Sequence, residues 1–595
     1  MQYRRHVHSL SLFALLLLAL LIVLALTADV VSAQTRTITF EGVSSRQRIP
    51  IKDINPDWPA DWSEFNFLVL EMRPSTPHRF RITVVTADGP RSIMIQPFGQ
   101  GAWLRASVPL KYFKGRDQFG FDLASTNNRR TNSFWMSIWG PFGELAHVQA
   151  VEFSMEYALD KSLLEIRSMQ LSKTDPGSEF LEDRPVLDEF NQWAFADWPG
   201  KIKSREQLAK ELAAEVFSLK PSDFGYTQMG GYADTQTKAT GFFRVEQIDG
   251  RWWFVDPQGH LFLSTSSNGL PGAGRRGGGA GDSDALKLIN RRLDAWGLNT
   301  GGQNRPYTAY LSVPRGPHTF LGLRDVYSDE FAQAAEQAAL AQCAPRKGDP
   351  LLLGYFIGNE PPWMGRESEL VGMILKGEPT ATQAKLKEFL AAGDSPQRRK
   401  EFVIAAFAKQ LDVVCSALKK HDPNHLNLGI RFGGSPPDDV LRCGRVFDVC
   451  SINVYNYEPT RQIARTNQIT GRPVLIGEFH LGVPANGLGA GLVQAKDQIE
   501  RAKGYRYYVE QAAAQGGFVG AHWFTWRDEP ILGRNDGENY NIGFVDVTNR
   551  PYKELVKAAI ATHQRLEQIH LGKLPPFDEH PKASDAGTPG PRRAE

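Results

Sequence analysis

Cysteine is scarce in this chain. The 595 residues hold four, Cys343, Cys415, Cys443 and Cys450, and their spacing matches no zinc site. An exported protein could pair them in three connectivities or keep them as buried thiols, and the sequence leaves both readings open. An excess of charge of one sign is also missing: 68 Lys and Arg face 66 Asp and Glu, a net charge of +2. With no basic stripe interleaved with aromatics, the chain lacks the electrostatic footprint of a nucleic-acid binder, and no nucleic-acid partner is expected. The glycine-rich stretch Gly272 to Gly279 has no Gly-Lys-Ser/Thr, which excludes a phosphate loop and suggests a loop over a site. His421 and His425 lie four apart, but Pro423 between them prevents a shared helical face, so no metal and no other cofactor is expected in catalysis.

What is plentiful is apolar and aromatic surface: 42% hydrophobic residues, 13 Trp and 34 Phe, ample for more than one core. Residues 1–33 read as a signal peptide. Arg4-Arg5 precedes an apolar run from Leu10 to Leu26, and Val31-Ser32-Ala33 offers small residues for cleavage before Gln34. An uncleaved anchor is the alternative, since 17 apolar residues sit at the short limit for spanning a bilayer; a membrane partner is expected only in that case. Either way the folded part is expected outside the cytoplasm, secreted or in the cell envelope.

From residue 34 to about 175 short alternating strands follow one another. Phe80, Ile82 and Val84 alternate with Arg81 and Thr83, Asp88-Gly89 turns the chain, and Ser92 to Gln96 alternates again. Val151, Phe153 and Met155 alternate with Glu152 and Ser154. This predicts an N-terminal β-sandwich, with Trp103, Trp135 and Trp139 either binding sugar or packing onto a neighbouring domain. A connector, 176–235, carries a helix from Ser204 to Phe217. The stretch from 236 to 570 alternates strands with helices, the latter expected at Asp284–Trp296, Asp329–Cys343, Arg398–His421, Asp438–Cys443, Asp497–Gln515 and Tyr552–Gln568, and 571–595 reads as a disordered tail.

Eight strands are expected in the third region: Leu261–Ser266, Leu298–Gly301, His318–Leu323, Leu352–Ile357, Leu426–Ile430, Val449–Asn453, Val474–Gly477 and Phe518–Phe524. The fold class is therefore α/β, a (β/α)8 barrel behind a β-sandwich. Barrel active sites form at the C-terminal strand ends. The fourth strand ends in Asn359-Glu360-Pro361-Pro362-Trp363 and the seventh in Glu478-Phe479-His480. Two facing carboxylates about 5 Å apart suit a retaining glycosidase, one attacking the anomeric carbon and the other protonating the leaving oxygen. Asn268, Asn304, Arg431, Asn453, Tyr455, Trp526 and Asp528 follow other strands and could bind sugar hydroxyls and faces. With Asn359, Trp363 and His480 they complete the candidate site. A non-catalytic polysaccharide-binding surface protein and a structural envelope protein are the alternatives of another class; neither requires two acids on facing strands.

These motifs resemble a known family. Gly-Asn-Glu-Pro at 358–361 and Gly-Glu-Phe at 477–479 are similar to the acid/base and nucleophile signatures of the retaining (β/α)8 glycoside hydrolase clan. His522-Trp523-Phe524-Thr525-Trp526-Arg527-Asp528-Glu529-Pro530, Gly543-Phe544-Val545-Asp546 and Trp253-Phe254-Val255-Asp256-Pro257 resemble β-agarases and β-galactosidase-like relatives within it. The resemblance implies Glu360 as acid/base, Glu478 as nucleophile, Asn359 on the sugar's 2-hydroxyl, Tyr455 orienting the nucleophile and Trp526 flooring the subsite. It also implies a galactose-containing polysaccharide as substrate, agarose first. Gly358 departs from the pattern, in which agarases more often carry Asp.

Overall fold

The computed structural model describes residues 35–115, 127–159, 162–271 and 283–587. The expected leader and the Gly272–Gly279 loop lie outside the described residues. Among the described residues no helix is long and apolar enough to cross a membrane.

The alternating N-terminal segments pair antiparallel, as their period of two dictates. One sheet runs β1 (Arg36–Phe40), β10 (Ser162–Ser172), β3 (Phe67–Pro74), β6 (Leu104–Pro109), β11 (Glu179–Phe180). The other runs β2 (Ser44–Pro50), β9 (Val148–Glu156), β4 (Phe80–Thr86), β5 (Gly89–Pro97), β8 (Phe134–Ser137), β7 (Asn128–Arg130). The expected hairpin is β4–β5, with Thr86 opposite Gly89. Ile38, Leu70 and Val108 of the first sheet join Ile82, Ile95 and Phe153 of the second in one buried cluster, so the two sheets share a sandwich core.

Further along, β12 (Arg244–Ile248), β13 (Arg251–Val255) and β14 (Leu261–Phe262) form a small antiparallel sheet. The parallel strands fall into two groups. The first runs β15 (Ser264–Ser267), β24 (Phe518–Trp523), β23 (Val474–Phe479), β22 (Cys450–Asn453), β21 (Phe432–Gly433). The second runs β16 (Tyr307–Tyr310), β19 (Leu352–Phe356), β20 (Leu426–Asn427). Helices such as Ser283–Trp296, Asp329–Gln342, Pro396–His421 and Gln498–Ala513 stand close to their expected positions, and the chain is α/β.

Several expectations are corrected. His318–Leu323 is no barrel strand: Thr319–Phe320 (β17) folds back on Leu323–Arg324 (β18) through a turn in which Leu321 (φ 44°) and Gly322 (φ 84°) are both left-handed. Tyr307–Tyr310 pairs with the Glu360-bearing strand instead. Leu298–Gly301 meets β15 through one backbone bond, Thr300 N to Thr265 O (3.0 Å), and otherwise through side chains, Asn299 foremost. Asn299 Oδ1 accepts from Thr265 N (2.9 Å), and Nδ2 donates to Leu263 O (2.9 Å). Leu426–Ile430 is cut short where Gly429 (φ 79°) turns the chain. Helices Glu367–Lys376, Ala381–Leu390 and Thr460–Thr470 were not anticipated. The tail is ordered as far as 587: Ala583 and Ser584 are fully buried, and the Glu510 and Glu500 carboxylates accept from the backbone N–H groups of Phe577 and Lys582. All four cysteines are free thiols.

Candidate active site

The two glutamates reach one site by different local routes. Glu478 lies inside β23 and is 6% exposed. Glu360 lies four residues beyond β19 in left-handed backbone (φ 41°), its N–H donating to Arg431 O (3.1 Å). Arg431 is itself left-handed (φ 48°). Non-glycine residues held there cost about 1–3 kcal/mol each and concentrate at functional sites.

Arg431 is the hub. Its Nη2 pairs with Glu478 Oε1, Nε donates to Asn359 Oδ1 (2.9 Å) and Nη1 to Asn268 Oδ1 (2.9 Å). The guanidinium lies over the rings of Phe356 (5.1 Å) and Tyr310 (5.4 Å), which fixes its plane. Asn453 Nδ2 donates to Glu360 Oε1 (2.8 Å) and to Asn359 Oδ1 (3.2 Å), and Tyr455 OH donates to Glu478 Oε2 (2.6 Å). Asn268 is held in turn by Gly477 O (3.0 Å). Gly477 makes the arrangement possible, since a Cβ there would stand 2.7 Å from Arg431 Cδ and 2.8 Å from Asn453 Oδ1. Both carboxylates are thus tied to one frame drawn from the ends of β15, β19, β21, β22 and β23.

Burial raises the pKa of Glu360 above the ordinary carboxylate value, and the charge of Glu478 adds to this; Asn453 and Arg431 pull the other way. Burial likewise pushes the Tyr455 phenol well above its usual value, with the Glu478 and Glu360 charges adding, so its proton stays in place to be donated.

Glu360, Pro361, Pro362 and Tyr455 open onto a cleft of about 1120 Å³. Its far wall is the sandwich, which contributes Arg79, Asn128 and the 64%-exposed Trp139. Trp135 and Tyr540 also line the cleft, though Trp135 is buried and packs against Tyr540 (6.0 Å); Trp103 lies beneath Arg73 and Arg167.

Of the expected site residues, the structure brings together Glu360, Glu478, Asn359, Asn268, Arg431, Asn453 and Tyr455. Five others are corrected. Trp363 is 1% exposed with its ring edge-on to Phe407 (5.0 Å), so it anchors the Pro361-Pro362 turn in the core and forms no sugar-facing wall. Trp526 is 2% exposed, stacked on Trp296 (5.3 Å) and beside Phe544 (6.1 Å), with no free face to floor a subsite. Asp528 turns inward to accept from Tyr552 OH (2.6 Å), Gly543 N (2.7 Å) and Asn541 Nδ2 (3.0 Å). His480 uses both ring nitrogens structurally: Nδ1 donates to Phe524 O (3.1 Å) and Nε2 accepts from Leu492 N (2.9 Å). Its ring supports that of Tyr455 at 4.7 Å. Asn304 is an exposed turn residue in left-handed backbone (φ 57°), outside the frame around the carboxylates.

Sequence reasoning missed Tyr310, because its strand was misplaced, and missed Arg79, Asn128 and Glu538 altogether. No motif marks residues that reach a cleft from a separate sheet or a late loop. Among the described residues no group of three His, Cys, Asp or Glu side chains is placed to hold a metal.

No family model matches the chain. The chain is similar to β-agarase B of Vibrio sp. (strain JT0107), 26% identical over 527 residues, covering 65% of this chain and 55% of that protein. It is similar also to β-agarase A of the same organism, 27% identical over 513 residues, covering 63% of this chain and 51% of that protein. The chain therefore spans about half the length of the curated relatives it matches. Among solved structures, an agarase superposes with a TM-score of 0.62 at 24% identity, covering 89% of this chain and 94% of that one. An exo-β-agarase superposes with a TM-score of 0.63 at 22% identity, covering 91% and 98%. The likeness to these two structures is one of fold. The curated relatives of this chain are β-agarases, and the resemblance carried by its strand-end motifs is borne out.

Proposed function

We propose that this protein is a β-agarase-like retaining glycoside hydrolase acting on a galactose-containing polysaccharide. The observation that carries the reading is the Arg431 frame: one guanidinium joins Glu478, Asn359 and Asn268 while Asn453 ties Glu360 to the same Asn359. A structural ion pair needs no second carboxylate on the frame, and none lying open to a cleft. In this reading the two groups of parallel strands are arcs of one (β/α)8 barrel, with the Leu298–Gly301 segment between β15 and β16: Thr300 N donates to Thr265 O (3.0 Å) and Gly301 N to Pro306 O (2.7 Å). The N-terminal 33 residues act as a secretion signal.

Glu478, with both oxygens oriented by Arg431 and Tyr455, attacks the anomeric carbon. The C–O bond to the leaving sugar breaks as Glu360 gives its proton to the departing oxygen, leaving a glycosyl ester on Glu478. Glu360, now a carboxylate, takes a proton from water as that water attacks the same carbon, and Glu478 is released with retained configuration. A Glu360 pKa above the ordinary range suits a group that must start protonated near neutral pH.

Glu360→Gln and Glu478→Gln are each expected to lose several orders of magnitude of activity on agarose while melting at the wild-type temperature. Azide is expected to rescue Glu478→Gly through an inverted glycosyl azide, and NMR of the first product from the wild type is expected to show the retained anomer. Normal turnover in either Gln variant would refute the assignment. Saturable glycan binding with no new reducing ends across a panel of β-glycans would favour the non-catalytic surface protein.

A further inference from the structure

The loop after β24 carries Glu529, Arg534, Asp536 and Glu538. Arg534 meets all three carboxylates: Nη1 is 3.0 Å from Glu529 Oε1, Nη2 is 2.7 Å from Asp536 Oδ2, and Nη2 also pairs with Glu538 Oε2. One cation therefore serves three acids in a mostly buried setting, an arrangement that costs stability when the charges do not balance. Burial, with the neighbouring carboxylates, pushes Glu538 up to about 7 against the opposing Arg534 and Arg79.

The sandwich holds this loop against the cleft. Arg130 donates twice to Leu532 O (3.0 and 2.8 Å), and Trp135 Nε1 donates to Asn539 Oδ1 (3.1 Å). Asn128 Nδ2 donates to Glu538 Oε1 (3.3 Å). Gly537 (φ 98°) permits the contact, since a Cβ there would stand 2.4 Å from Trp135 Cβ. The Glu538 side chain, 17% exposed, lines the same cleft as Glu360 and Tyr455. A carboxylate has about four acceptor positions, and the contacts from Arg534 and Asn128 occupy two. A wall whose task was only structural would turn such a group away from the opening or replace it.

We propose that Glu538 is a substrate-binding residue, accepting hydrogen bonds from hydroxyls of the sugar unit that lies between the catalytic pair and the sandwich, and that the sandwich serves as its positioning wall. This rests on the glycosidase reading and adds to it a determinant outside the strand-end motifs. Neutral sugars rich in hydroxyl donors fit an acceptor of this kind.

The test titrates neutral agaro-oligosaccharides into the Glu360→Gln protein with and without Glu538→Gln, by calorimetry at about pH 9, where Glu538 is ionised despite its raised pKa. Loss of charge-assisted bonds predicts a Kd weakened by about 10- to 100-fold in the double variant. In the active enzyme, Glu538→Gln is expected to raise KM by a similar factor while kcat falls less than about threefold, the split that loss of uniform binding produces. Gly537→Ala, which keeps the Glu538 side chain but pushes its loop off Trp135 and so displaces the carboxylate, is expected to move KM the same way. Should Glu538→Gln fold poorly, Asn128→Ala frees Oε1 without touching Arg534 and is expected to raise KM by a smaller factor. An unchanged Kd in the double variant, or a fall in kcat at constant KM, overturns the proposal and leaves the glycosidase reading standing. Absence of oligosaccharide binding by Glu360→Gln alone overturns both.

Discussion

Tyr455→Phe is the cleanest perturbation of the site, because it deletes one oxygen and keeps the ring that lies 4.7 Å from that of His480. The lost contact is the 2.6 Å bond from the phenol to Glu478 Oε2. Since burial and the two nearby carboxylates hold the phenol's pKa well above its usual value, the tyrosine is a donor throughout the working pH range. A hydrogen bond to a charged group contributes about 1.5–3 kcal/mol. At about 1.36 kcal/mol per tenfold in rate, its removal predicts a fall in kcat/KM of about 10- to 150-fold. The loss stays short of the effect of Glu478→Gln because Arg431 still holds Oε1. Steady-state kinetics on an agaro-oligosaccharide, with single-turnover measurement of glycosyl-enzyme formation, reads it directly. The melting temperature should stay near that of the wild type. A kcat/KM within threefold of wild type would mean that Glu478 needs no help from Tyr455, and the orienting role would fall.

Three further outcomes are expected. Asn453→Ala removes a hydrogen bond that lowers the Glu360 pKa, so the basic limb of the pH–rate profile should move to higher pH while kcat falls; an unmoved limb would separate that limb from Glu360. His480 is held neutral, its pKa depressed by burial to about 3 from 6.5. The unfolded chain therefore binds a proton that the folded state refuses. The stability from this group is fully present above pH 6.5 and is lost as pH falls toward 3, so His480→Gln should flatten the melting temperature over that window; an equally steep decline in the variant would refute the assignment. Trp363→Ala should cost about 3–5 kcal/mol in denaturant unfolding, as loss of a buried aromatic does. Trp363→Phe should leave KM for agaro-oligosaccharides nearly unchanged, whereas a large rise in KM would return Trp363 to the candidate site.

The strand-end acids were legible because a strand buried on both faces must be written as an apolar run, and an acid at its end then stands out. Leu352–Phe356 and Val474–Phe479 form as their composition dictates, and Arg431, Asn453 and Tyr455, which lie between the two acids in the chain, converge on them. The fates of Trp363, Trp526, Asp528 and His480 were not legible. Each lies within a few residues of a strand end, where the turn of the loop decides whether a side chain meets the cleft or the core. The hairpin at Thr319–Arg324 was misread for a related reason: Phe320 and Leu323 are apolar enough for a strand, but Leu321 and Gly322 take left-handed backbone that composition alone does not announce.

By itself the sequence determined the α/β class, the alternating strands of the N-terminal sandwich, and the presence of two glutamates on parallel strands with polar company. These are local properties, since periodicity and strand-end chemistry are written in neighbouring residues. Only the tertiary structure decided which polar residues share the Arg431 frame and which are spent on the core. It alone put the sandwich against the cleft, where Asn128 meets Glu538 across 410 positions of sequence. Contacts at that separation depend on how whole sheets pack, and no window of sequence contains both partners.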